Sequence, residues 1–324
     1  MDRPVAVLAL PLPEEAISRI AAACDVRSLP WPPSRAELIH ALAEAEGLLV
    51  SNQTPITADL LEVAPRLRVL SGFGVGYDLF DVGAATARGV AVCNTPDVLS
   101  DAVADLTMAL LLALARRLFE NAAYAREGWP ARLPPPPLGW DLRGKTLGIV
   151  GMGRIGRAVA HRARAFGMRI RWFDIRPDAG DPSERAPSLA SLLAEADAVT
   201  LHVDLNPSTA GLIGERELAL MKPTAVLVNT SRGAVVDQPS LVAALRAGRI
   251  AGAALDVLET EPPAPDDPIL RAPNVILLPH VGSATAETRA AMLDLAIENL
   301  LAVLAGRVPP ACVNPEALPR ALRR

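Results

Sequence analysis

Only four histidines occur in this 324-residue sequence, and histidine is the side chain whose ordinary titration falls between pH 5 and 8. His40 and His161 lie inside helical stretches and read as surface or packing residues; His202 ends an apolar run, Thr200-Leu201-His202-Val203, with nothing nearby to make it a proton carrier. His280 differs. It closes a strand in Pro279-His280-Val281-Gly282-Ser283-Ala284-Thr285, at the carboxyl edge of a sheet, where open α/β folds bind their ligands. Two further charged groups follow strands in the same way: Arg232 in Val228-Asn229-Thr230-Ser231-Arg232-Gly233, and Glu261 in Asp256-Val257-Leu258-Glu259-Thr260-Glu261-Pro262. Singly, each could be a solvated loop charge. Together they supply an acid/base near neutrality, a carboxylate to hold its imidazolium and a cation for a substrate carboxylate. Hydride exchange between a nicotinamide and a 2-hydroxy acid needs those three groups.

A place for the nicotinamide is written earlier in the chain. Lys145-Thr146-Leu147-Gly148-Ile149-Val150 runs into Gly151-Met152-Gly153-Arg154-Ile155-Gly156 and then a helical stretch from Arg157 to Phe166. A GxGxxG loop between a strand and a helix is a dinucleotide fingerprint: Gly151 allows the tight turn, Gly153 lets backbone approach a pyrophosphate, and Gly156 lets helix and strand pack closely. The helix N-terminus adds unpaired N–H groups for the phosphates. Asp174 closes the next strand, where a carboxylate can accept from the adenosine ribose and repel a 2′-phosphate. NAD(H) is therefore favoured, with NADP(H) not excluded because Arg176 lies two residues on.

These groups need a scaffold of parallel strands. Short apolar runs alternate with amphipathic stretches, so the chain reads as α/β throughout. Strands are expected at Val5–Leu10, Gly47–Val50, Val69–Gly72 and Val90–Cys93, a smaller flavodoxin-like α/β domain for the substrate. A second set, Thr146–Val150, Arg169–Phe173, Ala198–Val203, Ala225–Asn229, Gly252–Val257 and Val275–Leu278, suits a doubly wound (Rossmann) cofactor domain. Leu99–Phe119 reads as one long helix without a polar face, suited to burial between two bodies. Because the helix Ala286–Leu304 follows the last strand and the tail is short, the chain is expected to return to its first domain. The expected division is 1–98 with 287–324 for substrate, and 99–286 for NAD.

Composition narrows the class. Hydrophobic residues are 51% and charged residues 21%, which excludes global disorder. A formal charge of -4 offers no basic field for nucleic acid. The three cysteines, Cys24, Cys93 and Cys312, have no ligand-like spacing and no disulfide pattern, so no metal is expected. The first apolar run is too short to span a membrane, and the expected setting is cytoplasmic. Trp129–Leu142, with Pro134 to Pro137, reads as a stiff arm able to pack on a second copy, giving a homodimer.

The chain resembles the D-isomer-specific 2-hydroxyacid dehydrogenase family over essentially its whole length. Gly72-Phe73-Gly74-Val75-Gly76-Tyr77-Asp78, Asn94-Thr95-Pro96-Asp97-Val98-Leu99, the Gly151–Gly156 loop, Asn229–Gly233, Asp256–Pro262 and Pro279–Thr285 carry the resemblance. Asn94–Ser100 and Leu138–Thr146 are most similar to glyoxylate and hydroxypyruvate reductases. The resemblance implies that Arg232 binds the substrate carboxylate and carbonyl, His280 exchanges the proton, and Glu261 orients and charges His280. It also implies that the amides of Val75 and Gly76 hold the substrate carboxylate in a pocket built around Asn52, Phe73 and Val75. For the cofactor it implies Arg154, Ile155, Asp174, Val203, Thr209, Thr230, Asp256 and Gly282, with Asp256 near the nicotinamide carboxamide. The chain departs from the family at Asp204, where relatives often carry proline, and at Ala104-Asp105, where they commonly carry Ala-Glu. Two alternatives stay open: another specificity, for a larger 2-oxo acid or phosphoglycerate, and a non-enzymatic NADH-sensing, corepressor-like protein.

Overall fold

A computed structural model describes residues 3–323. The chain forms two compact units, 1–99 with 285–324, and 100–284.

The first unit carries an all-parallel sheet of β1 (Val5–Ala9), β2 (Asp25–Ser28), β3 (Gly47–Ser51), β4 (Val69–Phe73) and β5 (Ala91–Cys93), in the order β2-β1-β3-β4-β5. Crossovers include α1 (Glu14–Ala21), α2 (Arg35–Leu42), α3 (Ala58–Glu62) and α4 (Val82–Arg88). Alternate side chains of β1, β3, β4 and β5 enter opposite cores: Val7, Leu48, Leu70 and Val92 on one face, Leu8, Leu49, Val69 and Ala91 on the other. Parallel strands covered on both sides read as continuous apolar runs, which is why β1, β3 and β4 are legible. The strand β2 is not among the expected ones. Its Asp25, Arg27 and Ser28 are exposed on the sheet edge, so no apolar alternation marks it; pairing with β1 makes it a strand.

The second unit opens with α5 (Ser100–Arg116), then α6 (Leu118–Glu127). The expected single helix is interrupted because Arg117 takes a left-handed φ of 49°. Nor is α5 without a polar edge: Asp101 and Asp105 accept from Arg162 at 2.9 and 2.6 Å. Its sheet contains β6 (Thr146–Val150), β7 (Arg169–Phe173), β8 (Ala198–Leu201), β9 (Val226–Asn229), β10 (Gly252–Leu255) and β11 (Val275–Leu277). All strands run parallel in the order β11-β10-β9-β8-β6-β7. The direction of winding reverses between β6 and β8, the switch point at which such sheets bind dinucleotides. Helices α7 (Arg154–Ala165), α8 (Leu189–Glu195), α9 (Glu215–Leu220) and α10 (Gln238–Arg246) complete the unit.

The chain then returns to the first unit as α11 (Ala286–Leu304) and α12 (Leu318–Ala321). Ala296, Ile297, Leu300, Val303 and Leu304 bury against the β1–β5 sheet. Arg68 secures the return: 5% exposed, it donates to the carbonyls of Val303, Leu304 and Ala321 at 2.9, 3.2 and 3.0 Å. No described helix is long and apolar enough to cross a membrane.

Candidate active site

In the second unit, every expected chemical group sits at the carboxyl end of a strand. The Gly151–Gly156 loop follows β6, Asp174 follows β7, His202 and Val203 follow β8, Arg232 follows β9, Asp256 follows β10, and His280 follows β11.

The loop after β6 requires its glycines. Gly151 has φ 92°, and a Cβ there would stand 2.5 Å from the His202 carbonyl oxygen and 2.9 Å from Val203. A Cβ on Gly156 would lie 2.1 Å from the Gly151 oxygen. At Gly153 the surroundings are open, the nearest atom being the Arg176 guanidinium at 4.0 Å. No side chain caps α7 at Gly153, so its first amides are not satisfied by a cap. An open glycine leading into an uncapped helix N-terminus fits a pyrophosphate, and a dinucleotide suits this cradle. Arg154 and Ile155 open α7 directly after it.

Asp174, 9% exposed, accepts from the Met152 and Arg176 amides, each at 2.9 Å. It thereby ties the glycine loop to the end of β7. Burial opposes its charge, but the Arg176 amide and guanidinium and the Met152 amide outweigh burial and hold the carboxyl below the usual range. Arg176 is itself held charged by Asp174 first, with Asp178 and Asp204 adding negative potential. The family departure at Asp204 therefore acts on Arg176. Thr209 closes the same loop, its hydroxyl donating to the Asp204 carbonyl at 2.6 Å. The ring nitrogens of His202 are buried without partners, and burial pushes its pKa down to about 3. His202 is thus neutral and suited to packing.

The acid/base residues come together. His280 Nδ1 lies 2.7 Å from Glu261 Oε2, while Glu261 Oε1 accepts from the Leu258 amide at 3.0 Å. Burial raises the Glu261 carboxyl, but His280, the Leu258 amide and the Arg232 charge together hold it below the usual range. Arg232, distant in sequence, therefore acts on the same carboxylate. Gly233 permits this convergence: a Cβ there would stand 1.9 Å from the backbone of Leu258, which leads into the Glu261 loop.

Two residues without an expected shaping role build these turns. Asn229, wholly buried, donates to the Arg232 carbonyl at 2.8 Å and accepts from the Ser231 amide at 3.0 Å. Thr230 beside it meets the Thr107 hydroxyl at 2.9 Å. Asp256 takes the Val281 and Gly282 amides on its two oxygens, both at 2.8 Å, and its own carbonyl accepts the His280 amide at 2.8 Å. That clamp holds His280 at a φ of 55°, a left-handed conformation that costs a non-glycine residue of order 1–3 kcal/mol. Polar residues following a strand carry no periodic signal, so both roles are visible only in three dimensions.

In the first unit, the Phe73–Gly76 turn follows β4. Asn94 donates to the Val75 carbonyl at 2.8 Å, and Asn52 packs where a Gly74 side chain would stand, its Nδ2 2.3 Å from that Cβ position. Val75 and Gly76 are partly exposed on this asparagine-supported turn.

Comparison with known proteins agrees with the geometry. Residues 108–282 match the family model described as D-isomer specific 2-hydroxyacid dehydrogenase, NAD binding domain. A glyoxylate reductase of Korarchaeum cryptofilum is 48% identical over 95% of both chains. A glyoxylate/hydroxypyruvate reductase B of Klebsiella pneumoniae is 45% identical over 97% of this chain and 99% of its own. The crystal structure of an NADPH-dependent glyoxylate/hydroxypyruvate reductase from Sinorhizobium meliloti, in complex with NADP and malonate, superposes with a TM-score of 0.89 at 36% identity, covering 98% of each chain. With a strand-end imidazole–carboxylate pair, a glycine cradle and relatives alike over nearly their full length, the chain belongs to the D-isomer-specific 2-hydroxyacid dehydrogenases, oxidoreductases with an NAD(P)-binding Rossmann domain.

Proposed function

We propose that this protein reduces a small 2-oxo acid, glyoxylate or hydroxypyruvate, to its 2-hydroxy acid, using residues 100–284 to bind cofactor and the first unit to bind substrate. The 2.7 Å pairing of His280 Nδ1 with Glu261 carries this reading. With Nδ1 engaged by Glu261, proton exchange with the substrate oxygen falls to Nε2. A reduced nicotinamide supplies the hydride when bound. Arg232 binds the substrate carboxylate and stabilises charge developing on the carbonyl oxygen, and the Val75 and Gly76 amides bind the same carboxylate. The Gly151, Gly153 and Gly156 loop with Arg154 and Ile155, together with Asp174, Val203, Thr209, Thr230, Asp256 and Gly282, is assigned to the cofactor.

NADH is the proposed preference. Asp174 is held ionised at the end of β7, and Asp178 and Asp204 add to the negative potential at Arg176, an unfavourable setting for a 2′-phosphate. The homodimer is proposed on the arm: Trp129, Leu133 and Leu138 are 69, 56 and 95% exposed, and apolar side chains so placed favour a partner surface. The free thiols accord with a cytoplasmic setting.

Steady-state kinetics with NADH and NADPH against glyoxylate, hydroxypyruvate and pyruvate test the reading. Turnover should be highest with NADH and one of the first two acids, and no oxidation of either cofactor with any of them would overturn it. In Arg232→Ala, loss of a charge-assisted bond should lower kcat/KM at least about tenfold, roughly 1.4 kcal/mol. Unchanged kinetics would remove Arg232 from the site. Sedimentation at micromolar concentration tests the dimer, which a monomeric boundary would refute.

A further inference from the structure

One half-buried cation of the first unit has no role in the chemistry above. Arg289 occupies the first turn of α11, where the helix dipole disfavours positive charge. Among the described residues no carboxylate pairs with it, and burial pulls its pKa below the usual guanidinium range. Its guanidinium instead meets an aromatic face: the guanidinium carbon lies 5.4 Å from the centroid of the Phe73 ring. Stacking on a ring orients a guanidinium and leaves its N–H edge for oxygen acceptors. Phe73 ends β4 and directly precedes the Gly74-Val75-Gly76 turn, whose amides are assigned to the substrate carboxylate.

A cation that is desolvated, set against a helix dipole and unpaired is unfavourable in the protein alone. An incoming oxygen acceptor gives the guanidinium the hydrogen-bond partner it lacks. With the carboxylate of a 2-oxo acid assigned to the two amides of that turn, the group left for Arg289 is the one on the next carbon. Resting on the substrate assignment of that turn, we propose that Arg289, stacked on Phe73, selects 2-oxo acids whose third carbon bears a hydroxyl or a carboxylate. Phe73 sets the plane of the guanidinium, and Arg289 supplies the charge-assisted hydrogen bond. Acids ending in a methyl group gain nothing from it.

The test compares wild type, Arg289→Met and Arg289→Lys on pyruvate, hydroxypyruvate and oxaloacetate, which differ at the third carbon by a methyl, a hydroxyl and a carboxylate. In Arg289→Met the hydroxypyruvate-to-pyruvate ratio of kcat/KM should fall about tenfold, chiefly through KM. Arg289→Lys, which keeps the charge but loses the planar stack, should fall between the two. A larger fall for oxaloacetate than for hydroxypyruvate would identify the carboxylate as the preferred group, and the reverse would identify the hydroxyl. Ratios unchanged within about twofold, or all acids falling in parallel, would overturn the proposal. Calorimetric titration with D-glycerate and D-lactate reads the same selection without turnover. The wild type should bind D-glycerate more tightly and Arg289→Met should lose the difference; equal affinities in the wild type overturn the proposal. Absence of turnover with every acid would instead sink the enzymatic reading, while the titration still decides the role of Arg289.

Discussion

Asp174 and Asp256 stand at the ends of two strands of one sheet and do the same mechanical work under opposite electrostatics. Each is largely buried, and each uses its carboxylate oxygens to hold the backbone amides of a turn. At Asp174 the neighbouring Arg176 guanidinium helps the amides outweigh burial, and the carboxyl titrates below its usual range. At Asp256, burial prevails over the two amides and the charge of His280, with Glu261 repelling it, and the carboxyl titrates above its usual range. The lesson is that amides orient a buried carboxylate in either setting, whereas its ionisation favours the fold only where a counter-charge and the amides together outweigh burial. The turns also differ in purpose. Asp174 shapes a glycine loop suited to binding, and Asp256 holds a strained His280 suited to chemistry.

Removing what the second clamp presents should have the largest effect. His280→Ala should abolish turnover while NADH fluorescence titration shows binding retained; unimpaired turnover would remove the histidine from the mechanism. Next comes the clamp itself. Asp256→Ala frees the Val281 and Gly282 amides, and a displaced catalytic group can cost on the order of 100-fold, so kcat should fall by about that factor. A drop confined to KM would make Asp256 a cofactor contact without a positioning role. Asp174→Ala should split the other way, raising KM for NADH about tenfold with kcat largely kept. An equal loss of kcat would erase the distinction between the two turns.

The smallest effect is on stability against pH. Asp174, with its lowered folded value, stabilises the native state above the unfolded Asp pKa and loses that contribution as pH falls through the folded value. Asp256, with its raised folded value, does the reverse: ionisation weakens the native state as pH rises through the interval between its unfolded and folded values. Urea midpoints from about pH 3 to pH 7 should therefore show Asp174→Asn losing ground to wild type as pH rises. Asp256→Asn should gain ground over the same rise, apart from a constant offset for its disturbed amide contacts. Parallel curves for the two variants would break the comparison.

The fold was legible where burial imposed a pattern. Strands covered on both faces must be apolar, so β6, β8 and β9 stand out, and a glycine loop between strand and helix can be recognised because only those residues fit its turn. The edge strand β2 was not legible, since its exposed Asp25 and Arg27 are under no such demand. Nor is the break at Arg117 legible in the sequence, because Arg116 and Arg117 fit a continuing helix and only the backbone departs.

For the site, residue types alone determined the chemistry available: one histidine, one glutamate and one arginine at strand ends, with a glycine cradle for a dinucleotide. Tertiary structure decided which of those groups meet, at what distance, and what holds them. His280 reaches Glu261 because β10 and β11 are neighbours, Asp256 fixes the backbone of His280, and α11 brings Arg289 back over Phe73. Local pattern encodes burial and turn conformation. Encounters between residues far apart in the chain depend on strand order and helix docking, which arise only when the whole chain packs.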